Sequence, residues 1–154
     1  MPDGILIDAI GVVRAGRQEA LDDWWDKVPG RIELDQNLFG AEALMGLEQF
    51  SHVEVLFHFH ATAEPVEIAA RHPRGRQDWP KVGIFAQRAK DRPNRLGATI
   101  CRIVSVQGTV LEVAGLDAID GTPVLDIKPV LSGFLPRGDF HEPEWAKELM
   151  REYW

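Results

Sequence analysis

The chain has 154 residues, 45% of them hydrophobic and 27% charged, which suits one soluble domain with a sizeable core. Its formal net charge of −7 argues against a broad, nonspecific grip on nucleic acid, which needs Lys and Arg facing phosphates, and leaves room only for a local basic patch. No apolar run approaches the roughly 20 residues of a membrane span, Met1-Pro2-Asp3-Gly4 does not read as a signal peptide, and the lone Cys101 cannot form an internal disulfide, so the expected compartment is the cytoplasm.

Ile5 to Val13 is rich in β-branched residues and predicts a first strand. Residues 18–27 predict a short helix stopped at Pro29-Gly30. Arg31 to Asp35 alternates apolar and charged residues, as a half-buried strand does. Residues 40–48 predict a second short helix. In 53–60 the period is two, with Val53, Val55, Phe57 and Phe59 on one face and Glu54, Leu56, His58 and His60 on the other. A polar loop at 71–80 precedes a short strand at 82–86. A second polar loop, Gln87 to Arg95, is closed by Gly97. Strands are expected at 98–106 and 109–114, joined by a tight turn at Gln107-Gly108, and again at 123–127. Residues 143–153 predict a helix with Pro143 near its first position, and Trp145, Leu149 and Tyr153 recur every fourth residue to pack it on the body. Short strands that do not alternate with long helices predict a mainly β fold. The expected form is a small closed or nearly closed antiparallel β-barrel with two or three short helices, in one domain over residues 1–154.

Several chemistries have no signal. There is no G-x-G-x-x-G after a strand, no P-loop, no C-x-x-C, no H-E-x-x-H and no G-x-S-x-G. His58 and His60 share a strand face and could hold a metal, but no further ligand accompanies them; the alternative is a pair lining a pocket or the barrel surface, and no metal is expected. Cys101, between Ile100 and Ile103, reads as a core thiol. The basic residues bunch between Arg71 and Arg102, so an anionic ligand should meet this middle third. Within it, residues 88–97 place four cations beside a Pro-Asn turn. They are either a clamp for carboxylate or phosphate or a solvated turn. Residues 115–128 carry Asp117, Asp120 and Asp126 among apolar neighbours. Asp126 sits within a strand, with Lys128 on the same face, where it could pair with it; the block is either a structural ion pair with two turn aspartates or a functional site.

Three blocks, taken in order and spacing, carry a family resemblance. They are Gly46 to His52 running on to Val55–His60, Gly83-Ile-Phe-Ala-Gln-Arg88 with Arg92-Pro-Asn94 and Gly97, and Gly115-Leu-Asp-Ala-Ile-Asp-Gly-Thr-Pro-Val-Leu-Asp-Ile-Lys-Pro129. Together they resemble the TsaA-like family, whose characterised members are TrmO-type tRNA methyltransferases. The resemblance implies a β-barrel that binds S-adenosylmethionine and works as a homodimer. It implies methyl transfer to N6 of threonylcarbamoyladenosine beside the tRNA anticodon. Alternatives are another RNA or a small molecule as acceptor, or a non-enzymatic S-adenosylmethionine-binding protein. By position, His60, Ala61, Arg88, Ala98, Gly115, Leu116 and Asp117 would line the cofactor site. Arg92, Pro93 and Asn94 would shape it or receive substrate, and His60 is the candidate base. The chain departs from the family at Trp24–Gly30, where a Pro-Arg-Gln-x-Gly-like loop is expected, and it ends at Trp154 without the C-terminal domain of longer members.

Overall fold

Alternation along the strands sets the architecture. In β3 (His52–His58), Val53, Val55 and Phe57 point inward and are at most 1% exposed, while the residues between them are half-buried. The same period places Ile32 and Leu34 of β2 (Pro29–Leu34), Leu111 and Val113 of β7 (Val110–Ala114) and Val124 of β8 (Pro123–Pro129) in one core. The computed structural model describes residues 3–154 and closes these strands into an antiparallel barrel of order β1-β2-β7-β6-β3-β8. Here β1 is Gly11–Ala15 and β6 is the long strand Leu96–Gln107. Closure comes from β1 on β8, with Gly11 opposite Val124 and Val12 opposite Pro123. Every neighbouring pair is hydrogen-bonded, so the barrel has no open edge.

Two short strands, β4 (Ala70–Arg71) and β5 (Val82–Gly83), pair outside the barrel and carry the polar loops of the middle third. The turn expected at Gln107-Gly108 is a two-residue hairpin loop, with Gln107 opposite Val110. A bulge on β8 lies opposite the end of β3: Leu56 pairs with Asp126 and Phe57 with Val124, leaving Leu125 extra. One glycine is dictated by packing. A Cβ on Gly97 would lie 2.5 Å from Cε2 of Phe57, so the β3–β6 approach requires glycine there.

The closed antiparallel barrel matches the expectation from sequence; several local elements differ. The first strand begins at Gly11, not Ile5, because no strand lies beside Ile5, Leu6 and Ile7, which are 84, 89 and 56% exposed. Residues 18–27 form only a 3-10 turn at Trp25–Lys27. The Arg17 guanidinium donates to the carbonyls of Asp23 and Trp24 and lies over the Trp25 ring, and Trp24 is left-handed at φ 62°, which breaks a helix. The helix expected at 40–48 is two 3-10 turns, Ala41–Leu44 and Leu47–Gln49, parted by Gly46 at φ 90°. The strand at 82–86 stops at Gly83 and passes into the turn Ile84–Ala86. Helix α1 covers Glu144–Met150 and ends before Tyr153, whose backbone is drawn onto the 24–26 segment. Among the described residues no helix is long and apolar enough to cross a membrane.

Candidate functional site

The β7–β8 connection, residues 115–122, crosses one end of the barrel and brings the aspartate-rich block to the start of β6. Gly115 begins it at φ 78°, a conformation that favours glycine, and a Cβ there would meet the Asp26 carboxylate at 3.0 Å. Leu116 and Ala118 drop into the core and anchor the connection. Asp117 stands between them, half-buried. Its Oδ1 accepts a hydrogen bond from the Thr99 hydroxyl on β6, and its Oδ2 accepts one from the Tyr153 hydroxyl at the C-terminus. Gly121, at the far side of the same connection, lies against His60: a Cβ there would be 3.8 Å from Nε2.

The loop after β5 brings Arg88 to the same strand of the barrel. Its guanidinium donates to the carbonyl of Ala98, the residue before Thr99. The loop is braced from within. The Gln87 side chain is buried and donates to the carbonyls of Val82 (2.9 Å) and Arg71 (3.1 Å). Arg92 donates to the carbonyl of Gln87 at 2.7 Å, and Arg71 pairs bidentately with the buried Asp91. Pro93 opens a tight 3-10 turn, and Asn94 and Arg95 are left-handed at φ 61° and 50°. Arg92, Pro93 and Asn94 therefore hold the loop that presents Arg88.

The electrostatics tie these groups together. Burial, then the charge of Asp117 and the hydrogen bond donated to it, holds the Tyr153 phenol well above the usual tyrosine range, while Arg88 and Arg74 pull in the opposite direction. Tyr153 is thus a permanent donor. Burial, with Asp117 second, pushes the Cys101 thiol up to about 12, and its side chain is 1% exposed, so Cys101 is the expected core thiol and not a nucleophile.

Of the residues expected at a site, the structure brings Arg88, Ala98, Gly115, Leu116 and Asp117 together. Leu116 turns its side chain into the core, so only its backbone can face a ligand. His60 and Ala61 lie past the end of β3, exposed, with His60 reaching the group through Gly121. Asp126 forms the expected ion pair with Lys128, at 2.5 Å on the barrel exterior, and is not part of the cluster. Among the described residues no group of three or more His, Cys, Asp or Glu is placed to hold a metal. Two surface grooves open elsewhere: one of about 430 Å³ between Ala9–Val12 and Glu33–Gln36, the other of about 380 Å³ along Ala70–His72, Gly75, Gln77 and Lys81. Chemistry, not groove volume, marks the Arg88–Asp117 cluster.

Three participants were missed from sequence. Thr99 carried a usable signal, a polar residue on the inward face of an apolar strand. Asp26 sits in a segment expected to be helical and Tyr153 reads as helix packing; neither carried a local signal.

A family model described as the tRNA-methyltransferase O N-terminal domain matches residues 16–134. A mouse protein named tRNA (adenine(37)-N6)-methyltransferase is 39% identical over 105 residues, covering 67% of this chain and 24% of that protein. A Pseudomonas aeruginosa protein named putative S-adenosylmethionine-dependent methyltransferase RcsF is 44% identical over 103 residues, covering 65% of this chain and 43% of that protein. A solved structure titled "Crystal structure of TrmO" superposes with a TM-score of 0.74 at 32% identity, covering 91% of this chain and 64% of that one. The chain thus spans about a quarter of the mouse relative and less than half of the bacterial one.

Proposed function

The chain belongs to the family of the tRNA-methyltransferase O N-terminal domain, and from that premise we propose that it is an S-adenosylmethionine-dependent methyltransferase acting at N6 of threonylcarbamoyladenosine beside the tRNA anticodon. The observation that carries the reading is the meeting of a guanidinium and a carboxylate on consecutive residues of β6, Arg88 on Ala98 and Asp117 on Thr99.

The donor set suits that cofactor. Each Asp117 oxygen accepts one hydrogen bond from the protein and keeps a lone pair for an ammonium or a ribose hydroxyl. Arg88 is exposed and has guanidinium N–H groups beyond the one on Ala98 for an amino-acid carboxylate. Gly115 leaves its backbone open to close approach, with no Cβ in front of Asp26. S-adenosylmethionine supplies a methyl group on a sulfonium, transferred in line to a nucleophilic nitrogen. The residues of the chain align the two partners, which is the main lever for such a displacement. Arg88 and Asp117 hold opposite charges of one ligand, Arg92 and Pro93 fix the loop that carries Arg88, and the exposed His60 imidazole is the candidate acceptor for the proton leaving the nitrogen. The reading includes a cytoplasmic homodimer. The exposed Ile5, Leu6 and Ile7, with Leu131, Phe134, Leu135 and Phe140 also exposed, supply apolar surface for a second copy.

One observation favours a second acceptor. Much of the basic middle third is neutralised within the chain: Arg71 by Asp91, Arg74 by Asp23, and Arg76 by Asp78 and Glu148. With the net charge of −7, this suits a small molecule or short RNA as well as a whole tRNA.

Calorimetry with S-adenosylmethionine tests the cofactor. Arg88→Ala and Asp117→Ala should each weaken binding about tenfold or more, the scale of one charge-assisted hydrogen bond. Labelled cofactor is then offered to tRNA bearing threonylcarbamoyladenosine and, separately, to fractionated small molecules. Label in the tRNA supports the first acceptor and label in the small-molecule fraction the second. Wild-type protein that binds no cofactor refutes both.

A further inference from the structure

The C-terminal tail reaches the site from outside the matched family segment. The family model ends at residue 134, yet residues 152–154 run along the segment 24–26. The amides of Trp24, Trp25 and Asp26 donate to the carbonyls of Glu152 (2.9 Å), Tyr153 (2.9 Å) and Trp154 (3.3 Å). The tail is clamped at its root by α1, where the Trp79 indole N–H donates to the Glu148 carboxylate at 2.9 Å and the Trp79 and Trp145 rings lie 6.4 Å apart. The segment it runs along is held from the other side, because Arg74 pairs with Asp23 at 2.8 Å. The clamp delivers two side chains. The Trp154 ring comes within 4.0 Å of where a Gly115 Cβ would stand, and the Tyr153 hydroxyl donates to Oδ2 of Asp117.

We propose that Tyr153 is a positioning residue that fixes the Asp117 carboxylate for the cofactor, and that the tail supplies one wall of the site. The proposal rests on the S-adenosylmethionine reading. A carboxylate with a donor on each oxygen has one orientation, and Thr99 and Tyr153 provide one donor each. Tyr153 takes no part as an acid or base. Asp117 and the Arg88 and Arg74 guanidinium groups are the charges that act on its phenol. With the tail removed, Asp117 keeps only Thr99 and is open to water on its other side.

The test uses the full chain and Tyr153→Phe, which keeps the ring and deletes the donor. S-adenosylmethionine affinity should fall about tenfold, with the loss appearing in the KM for the cofactor ahead of kcat. Because Tyr153 is the one tyrosine in the chain, its phenolate absorbance reports the contact directly. In the wild type that band should be absent through pH 11, counted against an ordinary pKa of about 10. In Asp117→Asn it should appear at lower pH than in the wild type, still above the ordinary value because the burial of the phenol remains. Saturating cofactor should leave the wild-type band suppressed, since the contact persists when the ligand is bound. Three results overturn the proposal alone: a Tyr153→Phe affinity within about twofold of wild type, a tighter affinity (which would make the tail an obstruction), or a wild-type tyrosine ionising near pH 10. Wild-type protein that binds no cofactor removes the functional reading, and this inference falls with it.

Discussion

Replacing Gly97 with alanine tests the close approach of β3 and β6 that underlies both barrel and site. The new Cβ would lie 2.5 Å from Cε2 of Phe57, 2.6 Å from Cζ and 3.0 Å from Cδ2. Reaching ordinary contact at 3.4 Å requires the ring or the strand to move by about 0.9 Å. Phe57 is 1% exposed and shares an edge contact with Phe59, ring centroids 5.3 Å apart, so the ring has no free side to yield into. Overpacking of this kind costs about 1–3 kcal/mol. For a chain of this size each kcal/mol lowers the melting temperature by about 2–4 °C. Gly97→Ala should therefore melt about 4–8 °C below wild type for a cost near 2 kcal/mol. Urea unfolding gives the free energy, and Phe57→Leu in the same background should recover part of it. The strand shift would also move the Ala98 carbonyl that receives Arg88, so cofactor affinity should fall in Gly97→Ala and return in the double variant. A Gly97→Ala protein as stable as wild type, or a double variant whose losses simply add, would refute the steric account.

Alkali provides an independent check on the core. The Cys101 thiol titrates at about 12 when folded and near 9 when unfolded. A raised folded value means stability is whole below pH 9 and declines as pH climbs toward 12, at up to about 1.4 kcal/mol per pH unit; urea unfolding at pH 8 and 10.5 should show a decline that Cys101→Ala lessens. Lys128→Ala removes an ion pair whose side chains are 60% and 43% exposed, and it should change unfolding free energy by less than about 1 kcal/mol and leave cofactor binding intact; a larger loss would move Asp126 into the functional group. If tRNA binds through the outward cations of the middle loops, Lys81, Arg88 and Lys90, the plot of log affinity against log salt should have a slope no steeper than about −3; a slope near −8 would mean that the internally paired arginines reopen to meet phosphate.

The barrel was legible wherever the chain alternates. Residues 53–57 and 110–113 carry a period of two with β-branched residues, and each became a strand with its apolar side in the core. The errors fell where apolar content had no period to interpret. Ile5-Leu6-Ile7 has strand composition, but strand composition does not supply a neighbouring strand, and the segment stays exposed. Residues 18–24 have helical composition, yet Arg17 captures two carbonyls that a helix would use and Trp24 turns left-handed. Local propensity gave way there to one long side chain and a tertiary contact.

The site was legible in its parts and not in its joints. Sequence blocks nominate Arg88 and Asp117, but what unites them is the register of β6, where Ala98 and Thr99 receive one each, and register is a product of the closed sheet. Tyr153 shows the limit most clearly. Its spacing from Trp145 and Leu149 reads as a helix face, and a helix continued to Tyr153 would have placed it against the body as one more apolar contact. Instead α1 ends at Met150, and the last residues extend along Trp24–Asp26. The segment Trp24–Asp26 is thus the one that receives the tail. A chain with a different loop at 24–30 has a different surface to dock there, so the segment near one end of the sequence and the tyrosine at the other are a single structural feature separated by 127 residues (26 to 153).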